Sequence, residues 1–429
     1  MAEHRFPTRR TVLVTSGAAA LSAGMAPALI GQTAPRVVVL GGGWGGASAA
    51  RALRMIAPDL HVTLIDANAS FVSCPFSNRV LGGLAPISSV TFGYDGLTKA
   101  GVEVVIDRAD GIDPEARIVR LGSGADIPYD RLIVSPGIDL KWDAIPGYDQ
   151  MAADKMPHAW KAGAQTELLR AQLEAMEDGG TVIVAPPTGP MRCPPGPYER
   201  TSLIAHYLKA EKPASKILVI DAKDSFSKQP LFEEGWAALY GDMIEFVPFS
   251  MNGGIFDVDP AAMTVTTAFE TFTGDVVNII PPQQAASIAR DAGLAGDADW
   301  CEIDGLTFES RHIPGVHVLG DAAVVGDMPK SGFAAHSQAE VCATAVATLL
   351  KDGTPDPGLL MNTCYSLVAP DWGISVAGVY RSNGDGYVAS LEGGGGTSPL
   401  GAGAEVHAKE ADFARSWFHN MAGATFGTA

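Results

Sequence analysis

The sequence predicts an α/β protein with two Rossmann-like nucleotide-binding domains, one complete and one degenerate, followed by a C-terminal α+β interface domain. Three observations predict it. A β-branched strand runs straight into a glycine-rich turn and an Ala-rich helix near residue 36. A second strand–helix–strand unit starts near residue 181 but has prolines where the turn glycines belong. The 429 residues are also about three domains' worth of chain. Apolar residues make up 47% and charged residues 18%, enough to bury a large core and too few charges for a disordered chain. With 49 Gly and 29 Pro, many tight turns and glycine-lined ligand loops are expected. The formal charge of −18 argues against nucleic acid, whose affinity comes largely from Lys and Arg on phosphates. It is compatible with a small neutral or anionic substrate in a local pocket and with a basic protein partner.

The N-terminus reads as a leader. Arg9 and Arg10 precede a weakly apolar, Ala/Gly-rich run to about Ile30, the pattern of a twin-arginine export signal over residues 1–34. The expected destination is the periplasm, where disulfides persist. No other stretch of 18 apolar residues occurs, so no spanning helix is expected in the mature chain.

Arg36 to Leu40 reads as a buried parallel strand. Gly41, Gly43 and Gly46 then fill the G-x-G-x-x-G positions. The first permits the tight turn, the second admits a pyrophosphate to the backbone, and the third seats the helix on the strand. A second strand, His61 to Ile65, ends in Asp66, placed to accept ribose hydroxyls. Tyr129 to Gly137 resembles the strand-turn segment that follows the first nucleotide unit in two-dinucleotide flavoproteins. Gly315 to Ala323 resembles their late flavin motif, with Gly320 close to the flavin phosphate and Asp321 on the ribityl chain. The dinucleotide implied is FAD.

Where such flavoproteins repeat the glycine fingerprint for NAD(P)H, this chain has the strand Thr181 to Val184 followed by Pro186, Pro187, Pro190, Pro194 and Pro195. Prolines lack the N–H donors of a pyrophosphate cradle and stop a helix from starting at the strand end. The strand at Lys216 shows that the domain fold persists, so electrons are expected from something other than a nicotinamide. Residues 35–150 and 275–345 are read as the FAD-binding domain, 151–274 as the degenerate NAD-type domain, and 346–429 as the C-terminal domain covering the flavin.

Five cysteines are present: Cys74, Cys193, Cys301, Cys342 and Cys364. With no C-x-x-C and no Cys/His cluster at ligand spacing, neither a metal site nor a haem attachment on this chain is expected. Cys193 lies in the proline-rich loop and Cys364 beyond the flavin motif, and the topology brings both toward the flavin. Two readings stand there. One is a disulfide that a hydrosulfide or small thiolate opens, passing two electrons on to the flavin; the other is a structural bridge or no bond. Glu199 follows Cys193 and either manages protons or faces solvent. Cys74 follows the second strand, in a segment that runs along the flavin ring in related folds, and its position alone is a weak pointer to a thioether. Lys330, ahead of the Ala334 helix, either adds charge at the flavin or is exposed. Cys342 and Cys301 read as core. The C-terminal run Val406 to Met421 puts Phe413, Trp417 and Phe418 on roughly one face, as core or flavin cover rather than a membrane anchor.

The chain resembles the flavoprotein subunit family of flavocytochrome c sulfide dehydrogenase. The most specific blocks are Cys193-Pro194-Pro195-Gly196-Pro197-Tyr198-Glu199-Arg200, Pro157 to Gly163, Met328 to Gly332 and Leu360 to Tyr365. The resemblance implies FAD attached covalently through Cys74 and a redox disulfide between Cys193 and Cys364, with Glu199 nearby. It also implies a c-type cytochrome subunit that accepts the electrons as the partner in a heterodimer. Pro75-Phe76 after the first of these cysteines departs from the family pattern. A sulfide:quinone reductase-like enzyme and a non-catalytic flavin-bearing subunit are the alternatives.

Overall fold

The computed structural model describes residues 34–428, so the twin-arginine reading of Arg9 and Arg10 falls outside the described residues. The first sheet has five parallel strands in the spatial order Val316–Val318, Arg131–Val134, Arg36–Leu40, His61–Asp66 and Glu103–Ile106. Val37, Val38 and Val39 at its centre are at most 1% exposed, as expected where helices cover both faces of a parallel sheet. The helix Trp44–Ile56 leaves the central strand and packs along the helix Gly332–Leu349. Both helices are Ala-rich on their buried faces, which lets them approach closely.

The second sheet has four parallel strands in the order Ile244–Val247, Lys216–Ile220, Thr181–Ala185 and Val276–Ile279. The last of these corrects the sequence-based boundary at 274/275. Val276–Ile279 pairs with Thr181–Ala185 and therefore belongs to the second nucleotide-type domain. The chain returns only afterwards, where Gln283–Ala285 pairs with Ile138–Leu140. All four residues of Val276–Ile279 are buried, so their pattern suits either parallel sheet equally and cannot choose between them.

The C-terminal part is built on a long antiparallel hairpin, Leu359–Ala369 with Trp372–Ser382, in which Cys364 lies opposite Val376. The helix Ala404–Phe426 packs across it. Its buried face runs through His407, Ala411, Ala414, Phe418, Met421 and Ala422, the spacing of one helical stripe. Phe413, one residue off that stripe, is 57% exposed, so the expectation that it shares a covered face with Trp417 and Phe418 is corrected. Phe418 and Phe426 join Trp44, Phe71, Phe76 and Phe92 in an aromatic cluster between this helix and the first domain. Cys301 and Cys342 are fully buried in the core. No helix among the described residues is long and apolar enough to cross a membrane.

Candidate active site

A cavity of about 810 Å³ lies between the strand ends of the first sheet, the proline-rich loop and the C-terminal hairpin, a volume within the range of cofactor sites. One end is made of backbone. Gly41 has φ +99°, and a Cβ there would sit 2.3 Å from the Ser135 carbonyl oxygen. A Cβ on Gly46 would sit 1.8 Å from the Gly41 carbonyl oxygen. Only glycine fits either position, and together they close the turn and seat the helix against the strand. The helix Trp44–Ile56 starts with no side-chain cap, which leaves its N-terminal N–H groups and positive dipole end for an anion. Gly42 N–H donates to Asp66 Oδ2 at 2.6 Å and Asn68 N–H donates to Oδ1 at 2.8 Å, fixing the carboxylate at the strand end.

Gly137, Gly320 and Asp321 line the same cavity further in. Asp321 Oδ1 is buried and has no hydrogen-bond partner within the protein. An orphaned acceptor of this kind needs a donor from elsewhere, and a ribityl hydroxyl supplies one. The glycine turn, the uncapped helix end, Asp66 and Asp321 thus fit FAD. Cys74 lies on the cavity wall, where its thiol donates to the Trp160 carbonyl at 3.0 Å and receives Arg192 Nη2 at 2.8 Å. The same guanidinium meets the Trp160 carbonyl and stands 3.8 Å from Asp321 Oδ2. Pro75 and Phe76 are accommodated because Phe76 turns left-handed, φ +70°, and stacks on Phe418 at 4.5 Å.

Cys193, Cys364 and Glu199 line the other end. Cys193 is half-buried and left-handed, φ +51°. Its N–H donates to the Lys330 carbonyl at 2.8 Å, and its carbonyl accepts from Gly196 N–H at 2.8 Å. Cys364 Sγ receives Asn362 Nδ2 at 3.4 Å, and Asn362 Oδ1 accepts from Ser331 Oγ at 2.5 Å. The structure carries all five cysteines as thiols. Glu199, in the first turn of the helix Gly196–Glu211, accepts from Leu367 N–H at 2.9 Å and from Asn78 Nδ2 at 2.8 Å. Burial holds its carboxyl above the usual carboxylate range, against the pull of those two donors. Burial, with the neighbouring Cys364 and Glu199 adding to it, pushes the Cys193 thiol up. This end of the cavity therefore favours protons over bare negative charge.

Two expected cofactor residues lie elsewhere. Gly46 sits behind the turn and acts through helix packing. Lys330 does not line this cavity but borders a neighbouring one of about 550 Å³. Its ammonium donates to the carbonyls of Asp321 and Ala323 at 2.9 and 2.6 Å and lies 3.9 Å from the Trp300 ring centroid. Of the two readings for Lys330, exposure is not what is found: backbone carbonyls and an aromatic face hold the ammonium, one of those carbonyls belonging to Asp321. Sequence reasoning missed Arg192, Arg200 and Lys228. Arg200 is fully buried and ties the Pro157 to Gly163 segment down, donating to the carbonyls of His158 and Ala159 and to Asn278 Oδ1. Arg192 precedes Cys193 directly, and that adjacency was the one available signal.

The fold and the cavity define a flavoprotein of the pyridine nucleotide-disulphide oxidoreductase type, and the model of that family matches residues 35–183. The model for the central part of the sulfide dehydrogenase [flavocytochrome c] flavoprotein chain matches residues 166–281, and the flavocytochrome c sulphide dehydrogenase flavin-binding model matches 356–426. The chain belongs to this flavocytochrome c sulfide dehydrogenase flavoprotein family. It is 58% identical over 45 residues to the flavoprotein chain of Chlorobaculum thiosulfatiphilum sulfide dehydrogenase [flavocytochrome c], covering 10% of this chain and 94% of that one. It is 22% identical over 334 residues to the mitochondrial sulfide:quinone oxidoreductase of Mus musculus, covering 74% of this chain and 72% of that protein. The fold is shared with the sulfide:quinone oxidoreductase of Aquifex aeolicus, with TM-score 0.68, 18% identity and coverage of 92% and 93%.

Proposed function

We propose that this chain is the flavoprotein subunit of a periplasmic sulfide dehydrogenase, oxidising sulfide through a Cys193–Cys364 disulfide and passing the electrons by way of FAD to a c-type cytochrome subunit. One observation carries the reading: both cysteines, Glu199 and Cys74 line the same cavity as the glycine turn and the orphaned Asp321 oxygen.

Gly41, Gly43, Asp66, Gly137, Gly320 and Asp321 would hold the cofactor, and Cys74 is the thiol on the cavity wall that would tether it, the flavin itself taking up the two electrons released as the thioether replaces a C–H and an S–H bond. When bound, FAD would supply the acceptor for the electron pair of the two cysteines and a route to a one-electron haem acceptor. The chain's own residues do the sulfur chemistry. Hydrosulfide attacks one sulfur of the bridge, so that an S–S bond forms to the incoming sulfur while the other cysteine leaves as thiolate. A second hydrosulfide takes the outer sulfur of the persulfide as hydrodisulfide, which leaves two cysteine thiolates. Their electron pair is given up as the bridge re-forms. Glu199 holds the proton released from the sulfur atoms, a role suited to a buried carboxyl with a raised pKa.

Anaerobic titration of the purified yellow protein with sulfide tests this. The flavin absorbance should bleach and be restored by a c-type cytochrome without lipid, while Cys193→Ser keeps its FAD and does not bleach. Bleaching of Cys193→Ser at the wild-type rate would reject the disulfide route. Reoxidation by a quinone but not by a cytochrome would move the acceptor to the sulfide:quinone type.

A further inference from the structure

Lys228 is 8% exposed and forms the N-cap of the helix Gln229–Leu239 in the left-handed conformation, φ +63°. A long, charged side chain seldom takes either position. Its ammonium donates to the Cys364 carbonyl at 2.9 Å and to Ser366 Oγ at 2.8 Å. A lysine has three N–H donors, so one remains beyond these two. Both acceptors are neutral, and among the described residues no carboxylate is ion-paired with Lys228. A buried cation with no carboxylate in direct contact, only the more distant Glu199 and Glu410, is better stabilised if the site supplies a nearer negative charge at some stage.

The charged and titratable neighbours that act on it come from four directions: Cys364 on the hairpin, Glu199 on the helix Gly196–Glu211, Cys193 on the proline-rich loop and Glu410 on the C-terminal helix. Glu199 already accepts from Leu367 and Asn78, and Glu410 accepts from Ser398 Oγ. The two cysteines carry no charge while bridged. Opening the bridge with hydrosulfide brings one negative charge into this enclosed place: RS–SR with HS⁻ gives RS–SH and RS⁻, with no other oxidant or reductant required.

We propose that Lys228 is the standing counter-charge of the sulfur pair, a positioning residue whose ammonium stabilises the thiolate released when hydrosulfide opens the Cys193–Cys364 bridge. The inference rests on the proposed function of that pair. It explains why the left-handed turn before Gln229 is kept at a lysine: the conformation aims the side chain inward at the Cys364 strand. Burial lowers the Lys228 pKa, to about 8 with both cysteines as thiols, and the pull of Cys364 and Cys193 that opposes burial is missing while they are bridged. The ammonium is therefore charged below its lowered pKa and loses its charge as pH rises through it.

The test compares wild type with Lys228→Met and Lys228→Arg in the flavin-loaded protein. Sulfide-dependent bleaching should slow about a hundredfold in Lys228→Met, the loss expected when one partner of a buried charge pair is removed. Corrected for the hydrosulfide fraction, the wild-type rate should fall as pH rises through the lowered pKa of the ammonium. Lys228→Arg should recover most of the rate and move that fall to higher pH. Equilibration of the cysteine pair with dithiothreitol, read by thiol labelling and mass, should show the bridge about tenfold harder to reduce in Lys228→Met. This readout needs no flavin turnover. Wild-type rate and bridge equilibrium in Lys228→Met would overturn the inference, as would a Lys228→Arg variant that keeps its FAD but regains nothing. Should Lys228→Met fail to fold, Lys228→Arg and the wild-type pH profile decide: a rate that falls nowhere between about pH 6 and pH 10 in wild type, with no shift in Lys228→Arg, overturns it. A wild-type protein that sulfide does not bleach would remove the parent reading instead, which separates the two failures.

Discussion

The two strand-to-helix turns of this chain occupy equivalent places in their sheets and do opposite work. After Leu40 the chain makes a glycine turn and starts a helix at Trp44; after Ala185 it wanders through prolines and starts its helix only at Gly196. The first turn offers backbone N–H groups and no side chains, the surface a pyrophosphate needs. The second offers few N–H groups but a stiff, longer excursion that brings Arg192 and Cys193 to the cavity wall, with Glu199 in the first turn of the helix behind them. The same strand-to-helix geometry thus presents a bare glycine backbone in one place and a cysteine side chain in the other.

The largest effect is expected at the sulfur end of the comparison. Cys193→Ser or Cys364→Ser should lower sulfide-dependent bleaching by about a thousandfold or more, measured by stopped-flow absorbance, because removing a nucleophile's partner ends the exchange. The next largest belongs to the other turn. Gly46→Val drives a side chain into the Gly41 carbonyl, and the protein should purify without flavin and lose about 3 kcal/mol in denaturant unfolding. Thr188→Ala, at an exposed position of the second turn, should keep both flavin and stability. A smaller effect sharpens the contrast further: Arg192→Met removes the donor 2.8 Å from Cys74 Sγ and should lower the fraction of flavin that stays with the polypeptide in acid, while total flavin is unchanged. Finally, NADH should not bleach the flavin, since the second turn lacks the cradle; bleaching at a rate comparable with sulfide would mean that the prolines do not exclude the nucleotide.

The first turn was legible in the sequence because it is local: strand, glycines, helix and Asp66 follow one another within thirty-one residues, Arg36 to Asp66. The sulfur end was legible only where a residue type is chemically singular, as Cys193 and Cys364 are. Its charges were not. Lys228 sits in Ser225-Phe226-Ser227-Lys228-Gln229-Pro230, which reads as an exposed loop, and only the fold turns it beneath the Cys364 strand. Lys330 shows the converse: its place before a helix N-terminus is visible in sequence, but the carbonyls of Asp321 and Ala323 that hold its ammonium are not. The domain boundary at Val276 was ambiguous because a wholly buried strand bears no mark of which sheet it joins.

Peptide mapping of the oxidised, unreduced protein by mass spectrometry tests the pairing of sulfur and flavin most directly. The peptides holding Cys193 and Cys364 should appear joined by one disulfide, and the peptide holding Cys74 should carry the added mass of the flavin. Cys193 and Cys364 found as separate free thiols in the oxidised protein, or bonded to other cysteines, would contradict the shared cavity as the seat of sulfide chemistry.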